Sequence, residues 1–315
     1  MINESTNSNP NFEGTLVSQV GSVALQNPVM LASGTAGHGT ELSSLINLSS
    51  IGALVVKSLA PFQWEGNSAP RLHETPSGMI NSIGLQGPGL KYWIEEILPD
   101  LITHRAKVVL SIWGRTLSDY YEAAEMCNDL PDEVIAVELN ISCPNVEDRG
   151  NMFAHSPEST EAVIRATESI SKPRWAKLSP NVTNLVEIAT SAKDAGAEAI
   201  TLINTLMGMV INIDDKSPLL GAGGGGLSGP AIRPVAIRSV YDVHKALPDL
   251  PIIGVGGIAS AKHAIEFMMA GASAIQIGTA NFANPKVPET VIRDLAKWCK
   301  ETEISNLDEI IGAAH

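Results

Sequence analysis

The sequence predicts an α/β protein built as one (β/α)8 barrel. Eight short runs of apolar and β-branched residues alternate with segments of helical spacing, so a strand-then-helix unit repeats along the chain. The runs are almost continuously apolar, which is typical of parallel strands buried on both faces. A length of 315 residues is ordinary for one such barrel. We therefore expect a single domain over residues 1–315, with an open doubly wound sheet as the alternative.

The predicted elements follow one another in a regular order. Strands are predicted at residues 29–33, 53–58, 107–114, 134–140, 174–179, 199–205, 251–257 and 274–279. Helices are predicted at residues 91–104, 117–128, 157–171, 184–194, 231–246, 261–270 and 287–301. Before them, the segment GTLVSQVGSVALQNP (14–28) predicts a β-hairpin that caps the closed end of the barrel. Residues 1–13 are expected to be flexible.

Three loops that follow strands are longer than ordinary connections. They cover residues 59–90, 141–157 and 206–230. Long loops inside compact domains usually carry function. We expect them to lie over the mouth of the barrel.

The composition excludes several classes of function. Lys and Arg number 21 against 34 Asp and Glu, and no basic cluster stands out, so nucleic acid and anionic membranes are not expected partners. No apolar run approaches the roughly 20 residues that span a bilayer, and no targeting segment is visible, so a cytoplasmic location is expected. The three cysteines form no C-x-x-C pair, so no metal site is expected, and the helical surroundings of Cys127 and Cys299 predict a packing or surface role for each.

The ends of the predicted strands carry polar residues or glycine. In an α/β barrel the active site is built at these carboxyl ends. The residues there are Ala32, Ser33, Gly34, Lys57, Ser58, Ser111, Asn140, Lys177, Asn204, Thr205, Gly256, Gly257, Gly278 and Thr279. A buried ammonium requires an anionic partner. We therefore expect Lys57 and Lys177 to bind an anionic cofactor or substrate, with a Schiff-base nucleophile as the alternative.

Glycine-rich turns after the last two strands suit a phosphate group, because their backbone N–H groups are accessible. GVGGIA (254–259) also fits the dinucleotide pattern G-x-G-x-x-A, but no acidic residue follows about 20 positions later, so a mononucleotide is favoured. Glycines that only make tight turns are the alternative. The segment GAGGGGLSGP (221–230) predicts a loop whose backbone approaches a ligand, and a flexible linker is its alternative.

Seven motifs, spread over nearly the whole chain from NPVMLASGT onward, resemble the dihydroorotate dehydrogenases of pyrimidine biosynthesis, class 1, subclass B. They are MINSIGLQGPG (79–89), ELNISCPNV (138–146), KLSPNVT (177–183), INTLMGM (203–209), GGLSGPAI (225–232), GGIAS (256–260) and GASAIQIGTANF (271–282). The resemblance implies an oxidoreductase with one FMN in the mouth of a barrel. Such an enzyme oxidises dihydroorotate to orotate.

The resemblance also implies a role for individual residues. Cys143 would be the catalytic base, at the position where the membrane-associated class 2 enzymes have serine. The substrate would be bound by Lys57, Asn81, Ile83, Gly84, Leu85, Asn140, Asn145, Asn204 and Thr205, with Lys57 and the backbone of residues 83–85 on its carboxylate. FMN would be bound by Ala32, Ser33, Gly34, Lys57, Ser58, Ser111, Asn140, Lys177, Ile203, Gly229, Gly256, Gly257, Gly278 and Thr279.

The mechanism inferred on this basis has Cys143 removing a proton from C5 of the substrate while a hydride passes from C6 to N5 of FMN. An ordinary thiol has a pKa of about 8.5, so turnover is expected to rise toward alkaline pH. The loop that carries Cys143 is expected to close over the substrate. A static surface loop with an inert thiol is the alternative.

The resemblance to subclass B implies that electrons reach NAD through a second subunit, which carries FAD and a 2Fe-2S cluster. The implied assembly is a homodimeric core with two partner subunits, a heterotetramer. This chain has neither a cysteine cluster nor a dinucleotide site of its own, so NAD reduction would require that subunit. A class 1A-like enzyme that uses fumarate is the alternative.

The chain departs from the subclass B pattern at two places. It has Ser111-Ile112-Trp113-Gly114 where many members have Asn-Val-Ala-Gly, and Gly87 where they have Asn. Trp113 is expected to narrow the mouth of the barrel.

Three other functions remain open: a flavin enzyme acting on another dihydropyrimidine, a Schiff-base lyase using Lys177, and a non-catalytic ligand-binding barrel.

Overall fold

The structure is a computed structural model that describes residues 16–142 and 153–315. At its centre, eight parallel strands form a closed barrel. They are β1 (Val29–Leu31), β2 (Ala53–Val55), β3 (Val108–Ile112), β4 (Val134–Asn140), β5 (Arg174–Lys177), β6 (Ala199–Leu202), β7 (Ile252–Val255) and β8 (Ala274–Ile277). Each strand pairs with the next along the chain, and β8 pairs with β1. The predicted barrel is confirmed, and the open sheet is wrong.

Helices follow the barrel strands from β2 onward. The α-helices are Leu90–Tyr92, Leu98–Thr103, Leu117–Glu125, Pro157–Ala166, Leu185–Asp194, Arg233–Ala246, Ala261–Met269, Ala280–Ala283 and Val287–Glu301, with a π-helical turn at Trp93–Ile97 and 3₁₀ turns at Phe153–His155, Pro230–Ile232 and Leu307–Glu309. Polar N-caps explain several starts: Thr116 and Asp119 form a capping box, and Ser260 accepts a bond from the first turn of its helix. Within residues 16–142 and 153–315, no helix combines the length and apolar character needed to cross a membrane.

The predicted N-terminal hairpin is confirmed, with antiparallel strands Ser18–Val20 and Val23–Leu25. Its buried side chains, those of Val20, Val23 and Leu25, pack against the apolar residues that fill the amino end of the barrel: Met30, Ala53, Val55, Val109, Ala136, Trp175, Ala199, Ile253 and Ala274. The turn of the hairpin is tied to the barrel, because Ser22 Oγ donates to Glu198 Oε1 at 2.7 Å. The hairpin therefore closes the amino end of the barrel.

A four-stranded antiparallel sheet, which we call the mouth sheet, is formed by two of the three long loops. Its strands are, in spatial order, Leu206–Gly208, Gly225–Ser228, Gly78–Asn81 and Leu72–Thr75. Residues 72–75, 78–81, 206–208 and 225–228 were all predicted to lie in loops, and that prediction is wrong. The glycines are needed within this strand because a Cβ on Gly226 would lie only 2.1 Å from Thr205 Oγ1. The strand thus passes directly over Thr205, in the segment that follows β6.

Candidate active site

A chain of hydroxyl and amide hydrogen bonds crosses the mouth of the barrel. Ser58 Oγ lies 2.9 Å from Ser111 Oγ and 3.3 Å from Ser33 Oγ. Asn140 Nδ2 donates to Ser58 Oγ at 3.1 Å, and Asn204 Nδ2 donates to Asn140 Oδ1 at 3.3 Å. The structure therefore brings together polar residues from β3, β4 and the segments that follow β1, β2 and β6, as the barrel geometry predicts.

The mouth sheet extends this chain with two more of the predicted residues. Asn81 Nδ2 donates to Gly226 O at 3.3 Å. Gly226 packs against Thr205, whose backbone N–H donates to Asn204 Oδ1 at 2.8 Å. Asn81, Asn140, Asn204 and Thr205 consequently form one continuous group, which we call the amide row.

Residues 83–85, whose backbone was predicted to bind the substrate carboxylate, lie in a loop (83–87) that is held by the segment before it. Trp64 and Gly87 exchange backbone hydrogen bonds of 2.9 Å, and Asn67 N donates to Ile83 O at 3.1 Å. Gly84 has φ 75° and Leu85 has φ 62°, in the left-handed region that a leucine rarely adopts. Such a conformation persists only where the surroundings enforce it. The loop is therefore a fixed part of the mouth.

Aromatic residues pack around this loop. Trp113 is buried against Phe62 and Trp64, with ring centroids 6.1 and 6.2 Å apart in edge-to-face contacts. Leu85 packs against the same cluster, and the Arg115 guanidinium lies 4.4 Å from the Phe62 ring centroid. The bulk of Trp113 is thus accommodated by its neighbours, which together support Leu85.

Glycines converge at the ends of β7 and β8. Gly229, Gly256 and Gly257 have φ values of 91°, 136° and 71°. A Cβ on Gly257 would lie 2.8 Å from Gly229 O, and one on Gly229 would lie 2.8 Å from Gly78 Cα and 3.5 Å from Thr279 Cγ2. Thr279 Oγ1 donates to Ser228 Oγ at 2.8 Å. These three glycines and Thr279 form what we call the glycine cradle, in which side chains larger than hydrogen would not fit.

Three other predicted cofactor residues are placed by backbone contacts. Ala32 N donates to Ile277 O at 2.8 Å, and Ile203 N donates to Val255 O at 3.0 Å. A Cβ on Gly278 would lie 3.5 Å from Ala32 Cβ. The two backbone hydrogen bonds hold the segments that follow β1 and β6 against β8 and β7, and Gly278 lies close to Ala32.

Lys57 follows β2, and its side chain runs past Gly34. A Cβ on Gly34 would lie 3.6 Å from Lys57 Cδ and 3.9 Å from Nζ. The neighbouring His38 was missed by the sequence reasoning. Burial lowers the pKa of His38, the charge of Lys57 lowers it further, and Glu41 opposes both effects. His38 is therefore neutral near pH 7, and Lys57 supplies the positive charge in this part of the mouth.

A buried polar cluster beneath the mouth was also missed. Glu138, on β4, is fully buried, and its Oε1 lies 3.5 Å from Lys177 Nζ. Its Oε2 accepts from Thr201 Oγ1 at 3.0 Å and from Gln276 Nε2 at 2.8 Å. The available signal was one polar residue in the interior of each run: Glu138 in VELN, Thr201 in AITL and Gln276 in AIQI. Lys177 therefore has a carboxylate of the chain itself as an anionic partner, which was not predicted, and its contact with an anionic cofactor or substrate stays a prediction.

The three cysteines differ in what the structure describes. Cys143 and Asn145 lie outside the described residues. Cys127 and Cys299 are free and buried, in agreement with the prediction. Burial raises the pKa of Cys127 to about 12, and burial, with a smaller contribution from Glu309, raises the pKa of Cys299. Neither of these thiols is therefore expected to react readily near neutral pH.

Comparison with known proteins identifies the family. The family model described as dihydroorotate dehydrogenase matches residues 15–298. The chain belongs to this family. Three similar relatives carry the name "Dihydroorotate dehydrogenase B (NAD(+)), catalytic subunit". The protein of Geotalea uraniireducens is 47% identical over 94% of this chain and 96% of its own length, that of Desulforudis audaxviator 46% over 94% and 96%, and that of Bacteroides thetaiotaomicron 44% over 93% and 97%.

Membership of the dihydroorotate dehydrogenase family confirms the resemblance seen in the sequence. It makes this chain an oxidoreductase of a flavin-dependent family. The groups at the mouth fit such a cofactor on structural grounds. The glycine cradle offers backbone to an anion, and Lys177 is a buried cation at the end of a strand.

Proposed function

We propose that this protein oxidises dihydroorotate to orotate in pyrimidine biosynthesis, with FMN as its cofactor. The observation that carries the proposal is the amide row across the barrel mouth, in which Asn204 donates to Asn140 and Asn81 reaches the same surface. A cyclic imide presents donors and acceptors in one plane, which carboxamides can match with paired hydrogen bonds. Neutral amides suit the pyrimidine ring, and the cation of Lys57 suits its carboxylate.

The cofactor would be held at two points. The glycine cradle would hold the phosphate of FMN, because closely packed glycines leave backbone N–H groups free to approach an anion. Lys177 would lie against the ring system and stabilise negative charge there. When bound, FMN supplies the two-electron acceptor for the reaction.

Cys143 is the general base in this proposal. Its thiolate would take the proton from C5 of dihydroorotate as hydrogen leaves C6 with its electron pair. The proposal is supported by the family match and by the thiol chemistry of the motif ELNISCPNV, which spans residues 138–146.

The test of the mechanism is Cys143→Ser. This variant should bind FMN and orotate as the parent does, but its rate of flavin reduction by dihydroorotate at neutral pH should fall by roughly 10²–10⁴-fold. A hydroxyl loses its proton less readily than a thiol, so activity should recover at alkaline pH. Anaerobic stopped-flow absorbance follows the loss of flavin colour.

Cys299→Ala is the matched control, since this thiol is buried and is given no role in the reaction. It should reduce its flavin at the parental rate. Mild alkylation at neutral pH should modify one thiol in the parent and none in Cys143→Ser, because burial raises the pKa of the other two. A Cys143→Ser variant with parental rates at neutral pH would remove this residue from the mechanism.

A Schiff-base lyase is the rival that Lys177 itself could support. In the structure its ammonium lies 3.5 Å from the buried carboxylate of Glu138, whereas a Schiff base requires an amine free to attack a carbonyl carbon. A yellow protein that releases FMN on denaturation supports the dehydrogenase. A colourless protein that borohydride traps with a carbonyl substrate would support the lyase.

We further propose a partner that passes the electrons to NAD. The relatives are named as catalytic subunits of an NAD(+) enzyme. Among residues 16–142 and 153–315, no group of His, Cys, Asp or Glu side chains could hold a metal ion. In this proposal a 2Fe-2S cluster and FAD belong to a second subunit. Purified alone, the chain should reduce neither NAD nor fumarate efficiently, and full-rate turnover with either would contradict the partner.

The proposed assembly is a homodimer with two such partners, in the cytoplasm. An exposed apolar stripe after β6 supports protein contacts, since Met207, Met209, Ile211 and Ile213 are each more than half exposed. Free, reduced Cys127 and Cys299 suit a reducing compartment. Light scattering of the chain, alone and with its partner, gives the subunit count, and a monomer alone would contradict the homodimer.

A further inference from the structure

We propose that Glu138 is a positioning residue that offsets the charge of Lys177 and so sets the reduction potential of the flavin. This inference rests on the proposed function, because it needs a flavin beside Lys177. It concerns a residue one layer below the mouth, which would not touch the substrate.

The geometry places Glu138 directly beneath the amide row. Glu138 and Asn140 are two residues apart on β4, so their side chains lie on the same face of the strand. Asn140 pairs with Lys177 of β5 in the sheet register. The Lys177 side chain, only 8% exposed, turns toward Glu138, so that Nζ and Oε1 are 3.5 Å apart. Within the described part of the chain, Glu138 is thus a buried anion at ion-pair distance from Lys177.

The rest of the cluster holds the carboxylate in place. Thr201 and Gln276, on β6 and β8, are both fully buried and both donate to Oε2 of Glu138. These bonds leave Oε1 facing Lys177. Hydrogen-bond donors from two other strands therefore fix the carboxylate, which in turn fixes the lysine.

A purely structural role does not account for this arrangement. The interior layers of barrels of this fold are usually filled by Val, Ile and Leu. Replacing a buried ion pair by well-packed apolar residues is often neutral or stabilising. A carboxylate with two dedicated donors, retained in a fully buried layer, points to control of the charge above it.

The electrostatic consequence has a definite sign. The reduced flavin carries more negative charge than the oxidised flavin, so an uncompensated ammonium beside it favours reduction. The negative charge of Glu138 cancels part of that effect. Removing it should therefore raise the midpoint potential of the bound flavin.

The experiment is an anaerobic redox titration of the FMN-loaded protein against a reference dye. Glu138→Gln keeps the size of the side chain and removes its charge. It should favour the reduced flavin over the oxidised flavin by about tenfold relative to the parent, a rise of about 30 mV for a two-electron couple. Thr201→Val is the matched control, because it removes one hydrogen bond to the same carboxylate and leaves the charge. Its potential should equal that of the parent, although its melting temperature should fall.

A second pair of variants tests whether Glu138 acts through Lys177. Replacing both charges in Glu138→Gln/Lys177→Met leaves no unpaired buried charge, so this variant should fold even if the single variant does not. Replacing Glu138 should raise the potential by less in the Lys177→Met background than in the parent, because only the direct effect of the carboxylate on the flavin remains once the lysine that it positions is gone. An equal rise in both backgrounds would overturn the proposal, as would an unchanged or lowered potential in Glu138→Gln.

Failure of the inference about Glu138 can be distinguished from failure of the proposed function. The redox titration needs only bound FMN and no substrate. A parent protein that binds FMN but is not bleached by dihydroorotate would contradict the proposed reaction and leave the potential measurable. A parent that binds no FMN would overturn both proposals.

Discussion

The two ends of the barrel are formed by the same eight strands but differ in chemistry. On β4, Ala136 lies in the apolar layer that packs against the N-terminal hairpin, and two residues further along the same face lies the buried carboxylate of Glu138. On β5 the corresponding step leads from Trp175 to Lys177. Strands β6 and β8 make the same change from alanine to a polar side chain.

This difference separates the source of stability from the source of function. Apolar side chains at the amino end stabilise the fold because folding removes their surface from water, and this effect does not depend on the direction of any one contact. Polar side chains at the carboxyl end are held by specific hydrogen bonds, and burying them is costly unless every partner is present. A substitution at the amino end should therefore change the free energy of unfolding, and one at the carboxyl end should change binding or turnover.

The largest effect is expected for Leu25→Ala, at the amino end. Leu25 is buried in the apolar layer, so the variant should lose about 2–5 kcal/mol of unfolding free energy. Urea unfolding followed by circular dichroism measures this loss. At temperatures where the variant is folded, its kcat and KM should equal those of the parent.

Val17→Ala provides the control, because Val17 is exposed and immediately precedes the same hairpin. It should change the free energy of unfolding by no more than about 0.5 kcal/mol. The separation of the two ends would be wrong if Leu25→Ala lowered kcat/KM while its stability stayed unchanged.

The sequence predicted those features that each strand carries by itself. Apolar runs such as ALVVKS and PIIGVGG identify buried parallel strands, and the polar residue or glycine at the end of each run marks the mouth. The hairpin was also predictable, because its two strands are adjacent in the chain. Roles for Cys143 and Asn145 stay predictions.

Features made by distant segments could not be predicted in the same way. The mouth sheet pairs residues 78–81 with residues 225–228, and the glycine-rich strand has no β-branched residue that would signal it. The cluster around Glu138 needs β4, β6 and β8 to face one another, which only the closed barrel provides. A single polar residue within one apolar run does not by itself predict this cluster.

A smaller effect is expected for Trp113→Ala, at the carboxyl end. The variant removes two edge-to-face contacts, with Phe62 and Trp64, and the packing around Leu85 of the loop at residues 83–87. Contacts of this kind contribute about 1 kcal/mol. If the loop binds the substrate as proposed, KM for dihydroorotate should rise roughly fivefold with little change in kcat. Steady-state kinetics with a dye acceptor measures both constants.

Tyr92→Ala serves as the control for Trp113, since Tyr92 is an exposed aromatic residue on the helix that follows this loop. Its kinetic constants should match those of the parent. A Trp113→Ala variant that lost kcat while keeping KM would show that the cluster acts on the chemical step, contrary to the support it gives to the loop.

The smallest expected effect is on the pH dependence of stability, to which His38 at the carboxyl end of the barrel contributes. Burial, aided by the charge of Lys57, lowers the pKa of His38 at the mouth, and burial also lowers the pKa of His244 and His263 on outer helices. As pH falls below about 6.5, the unfolded chain takes up protons that the folded chain does not, so stability must fall. The loss should continue down to the lowered pKa values. Hydrogen bonds from Ser305 and Asn306 lower the pKa of Glu309, which would act only at more acidic pH.

His38→Asn should therefore reduce, but not abolish, the decline of the melting temperature between about pH 7 and pH 5. His244 and His263 would cause the remainder of the decline. Leu25→Ala should lower the melting temperature at every pH and leave the shape of the curve unchanged, because it alters no titrating group. Differential scanning fluorimetry across this range compares the three proteins. If His38→Asn had the same pH dependence as the parent, the mouth would contribute nothing to acid sensitivity, and the contrast between the two ends would not extend to proton binding.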